Sequence, residues 1–225
     1  MNIRVSENFI ILALNPRSGN YMIYGNYLNY GFLGAVLMDL ALAGRIRIGD
    51  GRMSAIEEKG ITGIHVHDRM YERLLKSSRP MKISYWIRRL AFNSGWYVRE
   101  MRNMLVNNGV LRQERKRFLL IPYKLHYVSD LNRRKKLVLR LKEILLYNKP
   151  PDDDEGMLLG IIYASKLHKA LSDESDERRK IRRALVKFMK EGHLAAGSDS
   201  VMREIQMAIS SSIAASVVAS SGASH

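Results

Sequence analysis

Two short clusters of histidine and carboxylate residues have the types and spacing that suit metal or acid–base chemistry. The first is His65, His67 and Asp68, whose two imidazoles at i, i+2 spacing would share one face of an extended strand. A metal site needs a third or fourth ligand, and the later histidines lie in no comparable cluster. The sequence therefore favours a solvated strand end over a metal site.

The second cluster is acidic, with Asp152, Asp153, Asp154 and Glu155 directly after a Pro-Pro pair. Neighbouring carboxylates can bind a cation. Acidic residues are also typical of the first turn of a helix, where they offset the positive end of the helix dipole. We interpret the cluster as the start of a helix.

No catalytic motif accompanies these clusters. The chain has no cysteine, which excludes disulfides, thiolate metal sites and a cysteine nucleophile. It also lacks a Gly-x-Ser-x-Gly elbow, a phosphate-binding glycine loop and a His-Glu-x-x-His pair. We therefore expect no catalytic residue, no metal and no cofactor.

The charge of the chain is concentrated in one segment. The 225 residues carry a net charge of +15, and the pI is about 10.1. Between Lys76 and Lys149 lie 19 of the 37 Lys and Arg residues but 4 of the 22 Asp and Glu residues. In the rest of the chain the positive and negative charges are equal in number. Such asymmetry indicates an anionic partner, either nucleic acid or an acidic membrane surface, although a basic surface kept for solubility is the alternative.

Hydrophobic periodicity and turn residues predict a mainly α protein with three hairpins. Predicted helices cover 26–45, 68–77, 84–91, 98–108, 132–147, 155–171, 173–190 and 199–219. Predicted hairpins cover 8–24, 45–56 and 110–123. We expect a single helical domain over 1–225, with a basic membrane-facing segment at 76–149 and a helical part at 155–220. The apolar runs at 10–14 and 31–43 are too short for a signal peptide or a spanning helix, and the uncharged stretch 205–224 is mostly Ala and Ser, which favours a packed helix. We therefore expect a soluble protein.

The segment 84–127 has the layout of a winged helix, namely two helices followed by a basic hairpin. In a DNA-binding version, Arg99, Arg102 and Asn103 would enter the major groove, and the charged stretch 112–117 would form a wing on the phosphates. In a membrane version, the basic face would rest on anionic lipid beside the apolar run 118–121. A third interpretation is that this apolar run packs inward. We expect Arg115, Lys116 and Arg117 at a solvated hairpin tip.

Four runs of the chain resemble those of a known family, the Golgi phosphoprotein 3 family. The main similarity is the run YGFLGAVLMDLALAGRIRI at 30–48, which is similar to the family signature Gly-x-x-Gly-x-x-Leu-x-Glu-Leu-Ala-Leu-x-Gly-Arg. Three further runs agree and occur in the same order, FIILAL at 9–14, LVNNGVL at 105–111 with FLL at 118–120, and MLLGIIYAS at 157–165. Short loops and the lack of an acidic N-terminal extension favour a compact, prokaryotic-type member.

The resemblance implies a mostly helical, non-enzymatic protein that binds membranes peripherally. Eukaryotic members recognise phosphatidylinositol 4-phosphate on Golgi membranes and link glycosyltransferase tails to vesicle coats. Their lipid pocket uses a tryptophan and three arginines, whose places fall here on Tyr24, Leu33, Gly95 and Val98. Because only the aromatic character of Tyr24 remains, the resemblance does not imply phosphoinositide specificity.

These arguments favour a peripheral protein at the cytoplasmic face of a membrane, with a winged-helix nucleic-acid binder as the alternative. Expected partners are anionic membrane lipids, cytoplasmic tails of membrane enzymes, and a second copy of the chain through the hairpin 110–123. The residues expected to contact lipid are Tyr24, Arg99, Arg102, Arg115, Lys116, Arg117 and Phe118.

Overall fold

The structure is a computed structural model that describes residues 4–57, 60, 62–194 and 196–222. Its α-helices are α1 Val5–Ala13, α2 Gly25–Leu42, α3 His65–Leu75, α4 Ile83–Ala91, α5 Ser94–Asn107, α6 Leu131–Tyr147, α7 Asp153–Ala164, α8 Ser175–Glu191 and α9 Ala196–Gly222. The strands are β1 Ile46–Gly49, β2 Arg52–Ala55, β3 Met81–Lys82, β4 Leu111–Phe118 and β5 Ile121–Val128. The strands form two antiparallel sheets, β1-β2-β3 and β4-β5. The predicted mainly α class with short hairpins is confirmed.

Helix α2 lies at the centre of the fold. Every residue from Tyr30 to Leu40 is buried, and the helix packs against α1, α4, α5, α7 and α9. A helix that is apolar on all sides needs neighbours on all sides, because each exposed face would leave hydrophobic area in water. The predicted core helix over 26–45 is confirmed, and it ends at Leu42.

Two glycines allow the neighbouring helices to approach α2 closely. A Cβ atom added to Gly31 would lie 2.8 Å from Cζ of Phe9 and 2.9 Å from Cβ of Ser165. A Cβ atom on Gly34 would overlap the side chain of Ile209. Larger residues at either position would therefore push α1, α7 or α9 away from the core.

The sole charged residue of α2, Asp39, caps the N-terminus of α1. Its Oδ1 accepts a hydrogen bond from the Val5 amide at 2.8 Å, and its Oδ2 accepts one from the Ser6 amide at 3.1 Å. These amides belong to the first turn of α1, where no partner within the helix is available. The cap of α1 thus comes from a residue more than thirty positions later in the chain.

The opening of the chain differs from the predicted hairpin over 8–24. Residues Val5–Ala13 form helix α1, and the pairing that remains is an isolated bridge between Leu14 and Tyr21. A short, uninterrupted apolar run fits a buried helix as well as a buried strand, since neither has a polar face that would reveal its period. The Asp39 cap stabilises the helical alternative.

The predicted strand at His65 and His67 is also wrong, because these residues begin helix α3. Two residues at i, i+2 spacing lie about 200° apart around a helix, so the imidazoles cannot share a ligand. His65 is exposed, whereas His67 is buried.

The acidic cluster begins helix α7, as predicted. Asp152 and Glu155 form a capping box, in which the Asp152 carboxylate accepts from the Glu155 amide and the Glu155 carboxylate accepts from the Asp152 amide. The predicted helix 155–171 is interrupted after α7 and continues as a 3₁₀ helix over Leu167–Leu171. The break occurs at Lys166, whose φ of 56° is incompatible with a continuous α-helix.

We expect the substitution Asp39→Ala to lower the free energy of unfolding by about 2–4 kcal/mol, because it leaves two buried amides without an acceptor. Urea denaturation followed by circular dichroism measures this loss. Asp173→Ala is the matched control, since that carboxylate is 86% exposed and its ion pair with Arg17 lies in solvent. A loss in Asp39→Ala no larger than in the control would contradict the capping role.

Candidate functional site

The β4–β5 ribbon leads directly from helix α5 and is buried at its base alone. Its strands pair in register from Leu111 at the base to Phe118 beside the turn. Leu119 and Leu120 form the two-residue turn, with φ values of 46° and 70°. Left-handed φ at both positions is the requirement of a type I′ turn, which Asn and Gly adopt most readily.

The expectation that the charged stretch forms the tip of this hairpin is wrong. Arg115, Lys116 and Arg117 lie within strand β4, and the tip is the Leu119-Leu120 pair. Charge does not oppose strand formation here, because no described element covers the outer ribbon and its side chains are exposed to water. The turn sequence gave no signal, since leucine rarely adopts left-handed φ. All three cations are exposed, as expected.

The tip of the ribbon is apolar and fully accessible. Leu119 is 80% exposed, Leu120 is 92% exposed and Ile121 is 69% exposed. These side chains therefore do not pack inward, and they form a contiguous apolar end next to the cations of β4. The side chain of Phe118, another expected lipid contact, lies outside the described residues.

The positive charges of the ribbon are only partly neutralised. Glu114 pairs with Arg112 and lies 3.9 Å from the Lys116 ammonium. Within the described parts of the chain, no ion pair involves the ribbon's other cations, which are Arg115, Arg117 and Lys124. Lys124 lies opposite Arg115 in the register, so the unpaired charges are close together.

Helix α6, in contrast, uses much of its charge inside the protein. The Arg140 guanidinium donates to both Glu155 oxygens at 2.7 and 2.9 Å, and the Lys142 ammonium donates to Glu177 at 2.7 Å. Arg133 lies 3.7 Å from Glu7. The basic segment 76–149 is therefore not one uniform face, because part of its charge joins α6 to α1, α7 and α8.

The four places that correspond to the family's lipid pocket offer no cationic side chain. Tyr24 precedes α2 and is 65% exposed. Leu33 and Val98 are buried in the core, and Gly95 is exposed but has no side chain. Of the four, Tyr24 alone presents a side chain to the surface.

The two arginines that follow on α5 have different environments. Arg99 is exposed, whereas Arg102 is half-buried beside Tyr21 and His126. The Arg102 Nε, the Tyr21 hydroxyl and the His126 Nε2 are buried without a hydrogen-bond partner among the described residues. Burial raises the pKa of Tyr21, although Arg102 opposes this, and burial together with Arg102 and Lys124 lowers the pKa of His126 to about 4. Tyr21 and His126 are therefore both uncharged at neutral pH.

The partial burial of Arg102 makes it less available to contact DNA in the winged-helix alternative. Of the three side chains expected to enter a major groove, Arg99 and Asn103 are exposed and Arg102 is partly enclosed. The helix thus presents two polar groups outward beside the ribbon.

One buried cluster has the residue types of a catalytic triad but a different geometry. His67 places its Nε2 atom 3.1 Å from the Ser6 hydroxyl oxygen and 3.4 Å from Oδ2 of Asp39. In a triad the acid contacts the opposite ring nitrogen from the serine, whereas both contacts here involve Nε2. Burial lowers the pKa of His67 to about 4 and raises that of Asp39 to about 6. The arrangement serves the cap of α1.

No described helix is both long enough and apolar enough to cross a membrane. In the same described ranges, no group of three or more histidine or carboxylate side chains is placed to hold a metal ion.

The sequence pattern of the Golgi phosphoprotein 3 (GPP34) family matches residues 5–207. This match covers all of the fold from α1 into α9, including the ribbon and α5. The chain therefore belongs to the Golgi phosphoprotein 3 family.

Two fungal relatives illustrate the distance within this family. Vacuolar protein sorting-associated protein 74 of Schizosaccharomyces pombe is 24% identical over an alignment of 164 residues, and the match covers 64% of this chain and 48% of the relative. The protein of the same name from Eremothecium gossypii is 25% identical over an alignment of 164 residues, and the match covers 64% of this chain and 49% of the relative. The chain thus spans about half the length of the curated relatives that it matches.

The turn of the ribbon yields a stability prediction. We expect the double substitution Leu119→Asn/Leu120→Gly to raise the free energy of unfolding by about 1 kcal/mol, because it relieves the left-handed leucines. The matched control, Leu119→Ala/Leu120→Ala, removes the exposed isopropyl groups but leaves residues that disfavour left-handed φ at both positions. Urea denaturation of both variants measures the difference. Equal stability of the two variants would contradict a left-handed turn at these positions.

Proposed function

We propose that the protein attaches peripherally to anionic membranes through the tip of the β4–β5 ribbon and has no enzymatic activity. Leu119, Leu120 and Ile121 enter the interfacial region of the bilayer, and the neighbouring cations contact lipid headgroups. In this orientation the ribbon reaches the membrane while the helical core remains in water.

The observation that carries this proposal is the adjacency of an accessible apolar tip and unpaired cations. Transfer of a leucine side chain out of water contributes roughly 1.5–3 kcal/mol when it is complete. Each cation near an anionic surface adds roughly 1 kcal/mol. Because neither contribution is sufficient alone for stable attachment, a structure that combines the two fits reversible membrane binding.

The remaining expected contacts extend this surface. Tyr24 offers an aromatic ring with a polar hydroxyl, a type of side chain that suits the membrane interface. Arg99 is an exposed cation on the helix that leads into the ribbon. We include both residues in the proposed lipid surface and assign Arg102 a supporting role, because it is held against Tyr21 and His126.

The proposal extends to location and partners. Family membership supports attachment at the cytoplasmic face of a membrane, and the names of both relatives refer to protein sorting. An adaptor that holds the cytoplasmic tails of membrane enzymes agrees with those names. A contact between two copies through 110–123 would cover the same apolar tip, so it competes with membrane insertion.

Vesicle flotation tests the lipid surface directly. We expect the protein to float with vesicles that contain acidic phospholipid and not with zwitterionic vesicles, and we expect salt to weaken the binding because exposed charges are screened over about 8 Å. The variants Leu119→Asn/Leu120→Gly and Arg115→Ser/Lys116→Ser/Arg117→Ser should each bind at least about tenfold more weakly, given the contributions of apolar insertion and surface charge.

The control is Arg179→Ser/Arg182→Ser/Arg183→Ser, which removes the same charge from exposed positions on α8. An equal loss of binding in this control would show that net charge, rather than the ribbon, governs attachment. Tighter binding to duplex DNA than to acidic vesicles at matched salt would favour the winged-helix alternative. A change of oligomeric state in the tip variant, with vesicle binding retained, would assign the tip to a contact between copies.

We further expect no preference for phosphatidylinositol 4-phosphate over other lipids at equal negative charge. A phosphate monoester needs fixed donors, and Leu33, Gly95 and Val98 provide none from their side chains. Titration against vesicles matched for total charge but different in headgroup measures this. A preference of about tenfold, or 1.4 kcal/mol, for the 4-phosphate would contradict the expectation and indicate Arg99 or Arg102 as donors.

A further inference from the structure

A second basic surface lies between the end of α3 and helix α4. It is a groove of about 520 Å³, a volume within the range that holds a small ligand or a few peptide residues. Its lining combines three cations with aromatic, aliphatic and small polar side chains. The lining residues are Arg73, Lys76, Ser77, Met81, Tyr85, Trp86, Arg89, Leu90, Phe92 and Asn93.

The charge of this groove has one sign. Arg73, Lys76 and Arg89 line it, and no carboxylate side chain belongs to its described lining. Four other cavities in the described part of the chain each include at least one Asp or Glu. Charge complementarity therefore indicates an anionic occupant for this groove.

Two of the three cations contact other residues of the lining, since Arg89 donates from Nη1 to the Tyr85 hydroxyl at 3.3 Å and Arg73 contacts Asn93. When the Asn93 side-chain amide is oriented with its oxygen toward Arg73, that oxygen accepts hydrogen bonds from both Nη atoms at 2.8 and 2.7 Å. This orientation satisfies both the amide and the guanidinium. The Arg73 guanidinium also lies 5.7 Å from the centre of the Tyr97 ring. Because Arg73 is already ordered, binding an anion there costs less side-chain entropy than binding it to a mobile arginine.

The outer apolar side chain of the groove is Phe92, whereas Trp86 and Leu90 belong to the core. Phe92, at the end of α4, is 90% exposed, and Tyr85 is half-buried beside it in the groove lining. Tyr, Phe, Met and Arg are among the residue types enriched at protein–protein interfaces, and all four are accessible in this lining. This composition favours a polypeptide over a small anion.

The groove is also separate from the proposed lipid surface. Tyr97, which packs against Arg73, lies about 140° around α5 from Arg102. The two surfaces therefore occupy different sides of the same helix, and one does not require the other.

We propose that the groove binds an acidic peptide segment of a partner protein, with an apolar side chain of the peptide against Phe92 and Tyr85 and its carboxylates at Lys76, Arg73 and Arg89. This site is independent of membrane attachment through the ribbon. A planar guanidinium that is already fixed suits a carboxylate, because it can donate two parallel hydrogen bonds.

The test measures binding of the full chain to a fluorescent N-acetylated peptide in which one Phe is flanked by Asp and Glu. Two comparison peptides replace either the acidic residues by Asn and Gln or the Phe by Ser. We expect the acidic, Phe-containing peptide to bind at least about tenfold more tightly than either comparison peptide, since charge and the apolar anchor both contribute.

The variants use exposed positions so that the fold is retained. Lys76→Glu/Arg89→Glu and Phe92→Ser should each weaken peptide binding at least about fivefold, as expected for loss of an interface anchor. Leu139→Ser, at another exposed apolar position, and Arg115→Glu, on the ribbon, are the controls. Thermal melting confirms that each variant is folded.

Vesicle flotation separates this proposal from the lipid surface. Groove variants that lose the peptide and still float with acidic vesicles would support it, and ribbon variants should show the opposite pattern. Equal binding of all three peptides, or unchanged peptide binding in the groove variants, would overturn it. Groove variants that lose vesicle binding would assign the groove to the membrane surface and also overturn the proposal.

Discussion

The enclosure of helix α2 is the constraint on which the rest of the structure depends. Its residues from Tyr30 to Leu40 are buried on all sides, so other helices must surround it. Gly31 and Gly34 set how closely the neighbours approach. Asp39 is tolerated in this interior because α1 begins at its carboxylate, which satisfies the charge and the first turn of α1 together. The central helix therefore fixes both the position and the starting point of the helix that covers it.

The same arrangement decides which charges face outward. Because the helical core is closed around α2, helix α6 packs on its outside, and Arg140 and Lys142 are drawn into ion pairs with α7 and α8. The exposed cations include those of the outer ribbon, those at the groove between α3 and α4, and Arg99, Lys135 and Lys136. The positive excess of the segment 76–149 is therefore not one basic face, and the ribbon and the groove are two places where cations lie beside apolar residues.

The two leucines at the tip of the ribbon are unfavourable for the turn that they form. Both adopt left-handed φ, and their exposed side chains are unfavourable in water. Both costs disappear for Asn and Gly, which the fold would accept. Leucine at these positions is consistent with an apolar contact outside the chain, and strained or exposed residues of this kind concentrate at functional sites.

Much of the architecture was predictable from local patterns. The long apolar run of α2, the Gly-containing turn of the β1–β2 hairpin, the acidic start of α7 and the basic excess all follow from residue type and spacing, because propensity, capping and charge act over a few neighbouring residues. The family signature at 30–48 likewise needs no structure. The identity of the ribbon as a hairpin was also evident from its two β-type runs.

Other features depended on contacts between distant residues. Helix α1 was mistaken for a strand because its apolar run has no period, and its cap comes from Asp39, far along the chain. His65 and His67 face different sides once α3 forms, and the hairpin turn falls on two leucines that no turn preference would select. Which cations are free was equally hidden, since the partners of α6 lie on α1, α7 and α8. Sequence determined which segments are helical, apolar or basic, whereas tertiary packing decided which of their side chains remain exposed, because burial and pairing depend on neighbours in space.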